Sequence, residues 1–276
     1  MKLTKVETFR IRPRWLLLRL ETDDGLIGWG EPVVEGRAAT TQACIHELEP
    51  YLLGADPRNV EDIWQTIYRG GFYRGGPVLT SALSGIDQAL WDIKGKALGV
   101  PVHELLGGRV REKMEVYSWI DSDTPEICAK SALEKKAQGF RNIKMLGTGR
   151  IGWINDSRAI TGLLEKVQAV RDAAGPDFGI AIDFHGRAHQ GTAKTLLKEL
   201  EPLKPLFVEE PVLVENIDVF ERLHRFTSIP LATGERNYTR WGFKDLLERG
   251  CVDIIQPDLS HAGGISEVRR IAAMAE

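Results

Sequence analysis

From about residue 114 onward, the chain alternates between short apolar segments and longer amphipathic ones. The apolar runs lie near residues 115–120, 141–147, 178–184, 205–211, 229–235 and 253–260, and a helical pattern follows each of them. Such alternation is typical of parallel strands, because each parallel connection needs a crossover that a helix supplies. The sequence therefore predicts an α/β (TIM-type) barrel domain over residues 114–276.

The number of repeats sets a second expectation for this domain. A complete barrel of this type has eight βα units, and six units leave two strand edges open. We therefore expect a barrel that is truncated after about six βα units, with its strand-end loops gathered at one edge of the sheet.

Residues 1–113 show a different pattern from the rest of the chain. Residues 1–32 contain three apolar or alternating runs, and an Asp-Asp-Gly turn separates the second run from the third. Helical patterns follow, and the last long one ends at the Gly-Val-Pro sequence of residues 99–101. We expect an α+β domain here, with a three-stranded meander and helices.

Composition and charge exclude several classes of function. The formal charge is −3, from 36 Lys and Arg against 39 Asp and Glu, without a long run of one sign, so neither nucleic acid nor a membrane surface is an expected partner. No apolar segment is long enough to span a bilayer, and the N-terminus lacks a signal-peptide core. The three cysteines are widely separated and form no CxxC pair, which fits a reducing cytoplasm.

Three acidic residues end successive apolar runs at a constant spacing. Asp183 and Glu209 are 26 residues apart, and Glu209 and Glu235 are again 26 residues apart. Carboxylates at the carboxyl ends of neighbouring parallel strands converge and repel each other unless a cation lies between them. A hard divalent cation such as Mg²⁺ removes this repulsion, and helix capping is the alternative role for each residue alone. Three residues in matched register favour a metal site.

His185 follows Asp183 by two residues. Positions i and i+2 of a strand share a face, so we expect His185 beside the metal ligand Asp183, where its ring can exchange a proton near neutral pH. Its alternative role is a helix cap or a surface residue. Glu209 keeps the 26-residue spacing, so its neighbour Glu210 is expected on the other face, in a supporting contact.

Three further residues leave their roles open. Asp258 ends the sixth apolar run and can either orient a histidine of a neighbouring strand or cap the helix that begins near Gly263. His261 follows in the loop, and we expect it to make local hydrogen bonds. Lys144 points either into the mouth of the barrel or toward a surface salt bridge.

Taken together, these motifs resemble those of the enolase superfamily. Residues 85–108 are similar to the helix and linker that close the N-terminal capping domain in the mandelate racemase-like branch. The motifs at 183–187, 208–211, 234–236 and 256–265 resemble those of the acid-sugar dehydratases in that branch. The resemblance covers essentially the whole chain.

The resemblance implies a mechanism. Asp183, Glu209 and Glu235 would hold Mg²⁺, which would bind the substrate carboxylate and stabilise the enediolate that forms when the C2 proton leaves. His185 would be the general acid for the departing C3 hydroxyl. Asp258 would raise the basicity of a histidine on the seventh strand, beyond residue 276. A homo-oligomer is also implied.

The substrate that the resemblance implies is the aldonic acid D-galactonate, and another aldonic acid such as gluconate or arabinonate stays open. Racemase chemistry is disfavoured, because the second strand carries Lys144 without the second lysine of the Lys-x-Lys pair that racemases of this branch use. The second hypothesis is a catalytically dead fragment, because the seventh-strand base is not in the sequence.

Overall fold

A computed structural model describes residues 1–149, 151–152, 154 and 157–276. These residues form two compact units. The first unit comprises residues 1–112, 234–245 and 257–276, and the second comprises residues 113–233 and 246–256. None of the helices in the described residues combines the length and the apolar character that crossing a membrane requires.

The first unit begins with a three-stranded antiparallel sheet of β1 (Leu3–Ile11), β2 (Trp15–Thr22) and β3 (Ile27–Gly30), in the order β1-β2-β3. Alternate residues of β2 have fully buried side chains, namely Leu16, Leu18 and Leu20. Strict alternation places one face of the sheet on a core, as expected for a half-buried strand. The predicted meander is confirmed.

Four helices follow the meander: α1 (Ala38–Leu52), α2 (Val60–Gly70), α3 (Pro77–Leu98) and α4 (Val102–Leu105). The central α3 ends where Gly99 adopts a left-handed φ of 69°, which confirms the predicted stop. Helix α3 also lies against β3, because Gly30 and Gly85 allow the two backbones to meet. A Cβ atom added at Gly30 would lie only 1.9 Å from the Gly85 carbonyl oxygen.

The second unit contains a six-stranded parallel sheet whose strands follow one another in chain order. The strands are β4 (Tyr117–Trp119), β5 (Asn142–Leu146), β6 (Gly179–Asp183), β7 (Phe207–Glu209), β8 (Leu231–Thr233) and β9 (Ile254–Ile255). In the chain, the helices that follow these strands are α5 (Pro125–Ala137), α6 (Ser157–Ala174), α7 (Gln190–Leu200), α8 (Ile217–His224), α9 (Thr239–Glu248) and α10 (Gly264–Ala275). All of α10 and most of α9 belong to the first unit. The predicted parallel alternation of strands and helices is confirmed.

The two faces of this sheet carry different side chains. On one face, residues such as Ile180, Val208 and Leu231 pack into the large buried cluster that helices α6, α7 and α8 also line. On the other face, Ala181 and Phe207 form a small separate cluster with Ala232. Because side chains alternate along a strand, Asp183 shares the face of Ala181, and Glu209 shares the face of Phe207. Burial on the helix-packed face therefore aims both carboxylates to the opposite face.

The predicted sixth strand is wrong in its extent. Strand β9 contains only Ile254 and Ile255, and Asp258 lies in the turn that follows. Pro257 has no backbone N–H to donate and so cannot extend the ladder. The Asp258 Oδ1 atom accepts a hydrogen bond from the Ser260 backbone N–H at 2.7 Å, which stabilises the turn.

A buried carboxylate in the first unit connects α3 to α10. Asp87 is 1% exposed, and its two oxygens accept hydrogen bonds from the Ser266 backbone N–H (3.0 Å) and from the Ser266 hydroxyl (2.6 Å). Burial raises the pKa of Asp87 to about 6, although the hydrogen bonds from Ser266 oppose this shift. The neutral acid is therefore the form that the folded protein favours, relative to the unfolded chain.

This shift predicts a pH dependence of stability. The folded pKa lies above the unfolded value, so the contribution of Asp87 is fully present below about pH 4 and is lost as pH rises through 6. The free energy of unfolding of the wild type relative to Asp87→Asn should therefore fall by about 3 kcal/mol between pH 4 and pH 7. Urea titrations of both proteins across this range measure the difference. A constant difference would show that Asp87 keeps its ordinary pKa.

Candidate metal and acid–base site

Two of the predicted ligands end neighbouring strands in register. Asp183 is the last residue of β6, Glu209 is the last residue of β7, and the two are paired across the ladder. Their side chains are buried, with 0% and 1% exposure. The same parallel register that was expected from the sequence thus brings two carboxylates together in an environment where their repulsion is weakly screened.

The third predicted ligand completes a cluster. Glu235 lies two residues beyond the end of β8. Asp183, Glu209 and Glu235 each contribute one carboxylate oxygen, and these three oxygens lie within 4.8 Å of one another. Oxygen ligands from several carboxylates are what a hard divalent cation binds in proteins.

Lys144 of β5 lies beside two of these carboxylates, so the mouth-facing alternative is confirmed and the surface alternative is wrong. Its Nζ atom is 2.5 Å from Glu209 Oε2 and 3.1 Å from Asp183 Oδ2. Burial by itself would lower the pKa of Lys144. The hydrogen bond to Glu209 and the charges of Asp183 and Glu209 outweigh burial and raise this pKa, so Lys144 stays protonated.

Glu209 has a perturbed pKa of its own. Burial and repulsion from Asp183 raise the pKa of Glu209, while hydrogen bonds from Lys144 and Gln256 act in the opposite direction. The Gln256 Nε2 atom donates to Glu209 Oε2 at 3.0 Å. The sequence prediction missed Gln256. Its position two residues after Ile254, which packs with the small cluster of that sheet face, is the signal that could have found it.

An acceptor without a donor remains in this cluster. Asp183 Oδ2 is buried, and Lys144 and His185 each place a nitrogen 3.1 Å from it, but outside hydrogen-bond geometry. Buried polar atoms in proteins nearly always have a partner, and an exception needs an explanation. A divalent cation would satisfy this atom and offset the carboxylate charges, so the donor set fits Mg²⁺.

His185 reaches the cluster by a different route from the one predicted. Strand β6 ends at Asp183, so the expectation of a shared strand face is wrong. His185 instead adopts a left-handed φ of 50°, and its backbone N–H donates to Asp183 Oδ1 at 2.8 Å. This turn brings the ring back, with Nε2 3.1 Å from Asp183 Oδ2. The side chain is 33% exposed, so it faces solvent beside buried carboxylates.

The first unit contains Asp258 and His261. Asp258 is partly exposed (43%), and His261 Nε2 lies 3.9 Å from its Oδ2 atom. The His261 ring also lies against Ser81 of α3, with its Nδ1 atom 2.9 Å from the hydroxyl oxygen. The expected local hydrogen bonding holds for the His261 backbone N–H, which donates to the Asp258 carbonyl oxygen at 3.1 Å. It is wrong for the ring, whose hydrogen-bond partner Ser81 is far away in the sequence.

Comparison with known proteins gives the family. Residues 5–107 match the mandelate racemase / muconate lactonizing enzyme N-terminal domain, and residues 128–276 match the enolase C-terminal domain-like family. The chain belongs to the enolase superfamily. Its N-terminal part is the capping domain of that superfamily, and its C-terminal part contains the parallel sheet that carries Asp183 and Glu209.

Individual members of the superfamily are similar over the whole chain. D-galactonate dehydratase from Ralstonia pickettii (strain 12J) is 54% identical, and D-galactonate dehydratase from Pectobacterium atrosepticum is 53% identical. Both alignments cover all of this chain and 72% of the relative. The crystal structure of 3,6-anhydro-D-galactonate cycloisomerase from Zobellia galactanivorans has a TM-score of 0.89 at 37% identity, covering 100% of this chain and 77% of that one.

Proposed function

We propose that this protein is a Mg²⁺-dependent hydro-lyase that dehydrates D-galactonate to 2-dehydro-3-deoxy-D-galactonate. The observation that carries the proposal is the cluster of Asp183, Glu209 and Glu235 with the His185 ring beside it. The superfamily and its dehydratase relatives support a hydro-lyase that acts on a sugar acid. The proposal adds that the cation is Mg²⁺ and that the sugar acid is D-galactonate.

Asp183, Glu209 and Glu235 would hold the cation. When bound, Mg²⁺ would supply positive charge for the substrate carboxylate and for the negative charge that develops when the C2 proton is removed. Lys144 adds a permanent positive charge next to Asp183 and Glu209. Because Lys144 lies beside these carboxylates, it is placed to make a second contact with an anionic substrate. Binding such a substrate was one of the two roles that the sequence left open for Lys144.

His185 would act as the general acid. Dehydration breaks the C2–H bond and the C3–O bond, and the hydroxyl group needs a proton to leave as water. The His185 side chain is one-third exposed, so a substrate hydroxyl can approach its ring. The enol that remains after water leaves tautomerises to a 2-keto-3-deoxy acid. Asp258 would raise the basicity of the seventh-strand histidine that removes the C2 proton.

We also infer that the parallel sheet is part of a TIM-type barrel and that the chain divides into the two domains predicted from the sequence. Gln256, directly after β9, places its Nε2 atom 3.3 Å from the Tyr117 hydroxyl of β4. Side chains at the first and last strands of the sheet therefore meet, which supports a curved sheet that is part of a TIM-type barrel. The capping domain would extend over residues 1–113 and the barrel part over residues 114–276.

Other substrates remain as alternatives. Gluconate or arabinonate would use the same cluster and the same acid, and differ in the configuration of hydroxyl groups. Two-base racemisation is disfavoured because Leu146 occupies the position two residues beyond Lys144 on β5, where a second lysine would share its face.

The test is a panel of acid sugars with detection of the 2-keto acid product. We expect turnover of D-galactonate that is lost on addition of EDTA and restored by Mg²⁺. Turnover of gluconate but not of galactonate would contradict the named substrate. Mg²⁺ binding without turnover of any acid sugar would contradict the proposed hydro-lyase activity.

We propose a cytoplasmic location, which is supported by three cysteines that are free and buried, Cys44, Cys128 and Cys251. The homo-oligomer that the resemblance implies stays a prediction, which the mass of the particle in solution tests.

A further inference from the structure

Backbone contacts fix the place of Gln256 directly after β9. Its backbone N–H donates to the Thr233 carbonyl oxygen of β8 at 2.9 Å. Pro257 follows, and a proline disfavours the helical conformation in the residue before it. Gln256 is two residues beyond Ile254, which packs with the small cluster on the inner face of the sheet. Because side chains alternate along an extended segment, the Gln256 side chain lies on the face that carries Glu209.

The side-chain amide of Gln256 connects two other strands. Its Nε2 atom donates to Glu209 Oε2 of β7 at 3.0 Å and to the Tyr117 hydroxyl of β4 at 3.3 Å. The NH₂ group has two hydrogens, so both contacts can form at once. Both hydrogens of the amide nitrogen are therefore used inside the sheet.

The orientation of this amide leaves its oxygen without a donor. The Gln256 Oε1 atom is buried and has no hydrogen-bond partner among the residues that the structure describes. An unpaired buried acceptor is unfavourable, yet the opposite orientation would place Oε1 against the Glu209 carboxylate, which has no hydrogen to donate when it is ionised. The contact with Glu209 therefore decides which way the amide points.

Lys144 and Gln256 act on the same oxygen of Glu209 but differ in charge. Lys144 Nζ lies 2.5 Å from Glu209 Oε2, the atom to which Gln256 donates. The ammonium group offsets part of the negative charge that attracts a cation, whereas the amide is neutral. Gln256 can therefore fix the direction of the Glu209 carboxylate without weakening its attraction for Mg²⁺.

We propose that Gln256 is a positioning residue that holds the Glu209 carboxylate in the orientation in which it binds Mg²⁺. This inference rests on the cation site of the proposed function and adds a residue to it. A carboxylate whose orientation is fixed before the cation arrives needs less ordering when the cation binds. Replacing a residue that hydrogen-bonds to a metal ligand typically lowers metal affinity by about tenfold to a hundredfold.

Calorimetric Mg²⁺ titration of Gln256→Met and of the wild type tests the inference. Methionine has a similar length but no N–H to donate, and we expect the Mg²⁺ dissociation constant to rise at least about tenfold. The rate of D-galactonate dehydration should fall at limiting Mg²⁺ and return to within about threefold of the wild type at saturating Mg²⁺. Recovery is expected because the substitution weakens cation binding and leaves His185 and the three carboxylates in place.

Gln65→Met is the matched control on α2. Gln65 Nε2 also donates to a glutamate, Glu61 Oε1, at 2.7 Å, and its own Oε1 atom is likewise buried without a partner in the described part of the chain. Glu61 is not one of the predicted ligands, so the Mg²⁺ dissociation constant should stay within about twofold of the wild type. Cooperative urea unfolding of both methionine variants in EDTA shows that each of them is folded.

Tyr117→Phe tests whether the effect passes through the amide. The substitution removes the second acceptor of Gln256 and leaves the donation to Glu209, so we expect a smaller rise in the Mg²⁺ dissociation constant, about threefold. The double variant with Gln256→Met should bind Mg²⁺ no more weakly than Gln256→Met alone, because Tyr117 reaches Glu209 only through Gln256. Weaker binding by the double variant would contradict this route.

The outcomes separate the inference from the proposed function. A Gln256→Met protein that binds Mg²⁺ within about twofold of the wild type would overturn the inference, and so would equal losses of affinity in Gln256→Met and Gln65→Met. If the wild type binds Mg²⁺ but dehydrates no acid sugar, the proposed activity fails, and the titrations still decide the role of Gln256. If the wild type binds no Mg²⁺, the cation site and the inference fail together.

Discussion

Asp183→Asn should abolish most of the activity. The substitution keeps the shape of the side chain but removes the charge of a carboxylate that lies 3.1 Å from His185 Nε2 and carries the acceptor without a donor. We expect Mg²⁺ affinity to fall at least about a hundredfold and kcat to fall about a thousandfold or more. Calorimetric Mg²⁺ titration and the 2-keto acid assay measure the two effects.

Asp177→Asn is the matched control for this prediction. Asp177 is exposed and precedes the start of β6, whereas Asp183 ends that strand, so the control removes the same charge near the same element. It should leave Mg²⁺ affinity and kcat unchanged within about twofold. An Asp183→Asn protein that binds Mg²⁺ as tightly as the wild type would show that the carboxylate cluster is not the metal site.

Lys144→Met should destabilise the metal-free protein strongly. The substitution removes the cation that pairs with both Glu209 and Asp183 and leaves two buried carboxylates facing each other. Breaking a buried ion pair by removing one partner costs about 3 kcal/mol or more of unfolding free energy. Because Mg²⁺ brings positive charge to the same carboxylates, saturating Mg²⁺ should recover much of this loss.

Urea unfolding with EDTA and with Mg²⁺ measures both parts of the Lys144 prediction. Lys130→Met is the control, since Lys130 is 79% exposed and reaches Glu134 only at 4.0 Å. Its effect should stay below about 0.5 kcal/mol in either condition. A Lys144→Met protein as stable as the control would show that Lys144 does not offset the repulsion between the two carboxylates. A loss of unfolding free energy that Mg²⁺ does not reduce would show that the cation binds elsewhere.

Strand periodicity explains why the positions of two carboxylates were predictable. Asp183 and Glu209 follow apolar runs at equal spacing, and the parallel register that such runs form pairs these two residues directly. Their direction follows from alternation, because Ile180 and Val208 are buried on the face that packs on helices. Local pattern and register therefore suffice for these carboxylates.

Other parts of the site depend on contacts that periodicity does not encode. His185 leaves the strand and returns to Asp183 through a left-handed residue, so its placement follows from a turn and not from alternation. The sequence left two directions open for Lys144, the mouth of the barrel or the surface, and its ion pair with the buried Glu209 decides for the mouth. Asp258 lies in a turn because Pro257 ends the ladder after β9.

By itself, the sequence determined the two architectures along the chain, the parallel order of the strands and the residues that end β6 and β7, because burial imposes period and register on each segment. Only the tertiary structure decided the ion pairs of Lys144, the hydrogen bond from Gln256 to Glu209 and the contacts of His261 with Ser81 and Glu35. These contacts join residues far apart in the chain, and their distances follow from how whole elements pack. No local pattern carries that information.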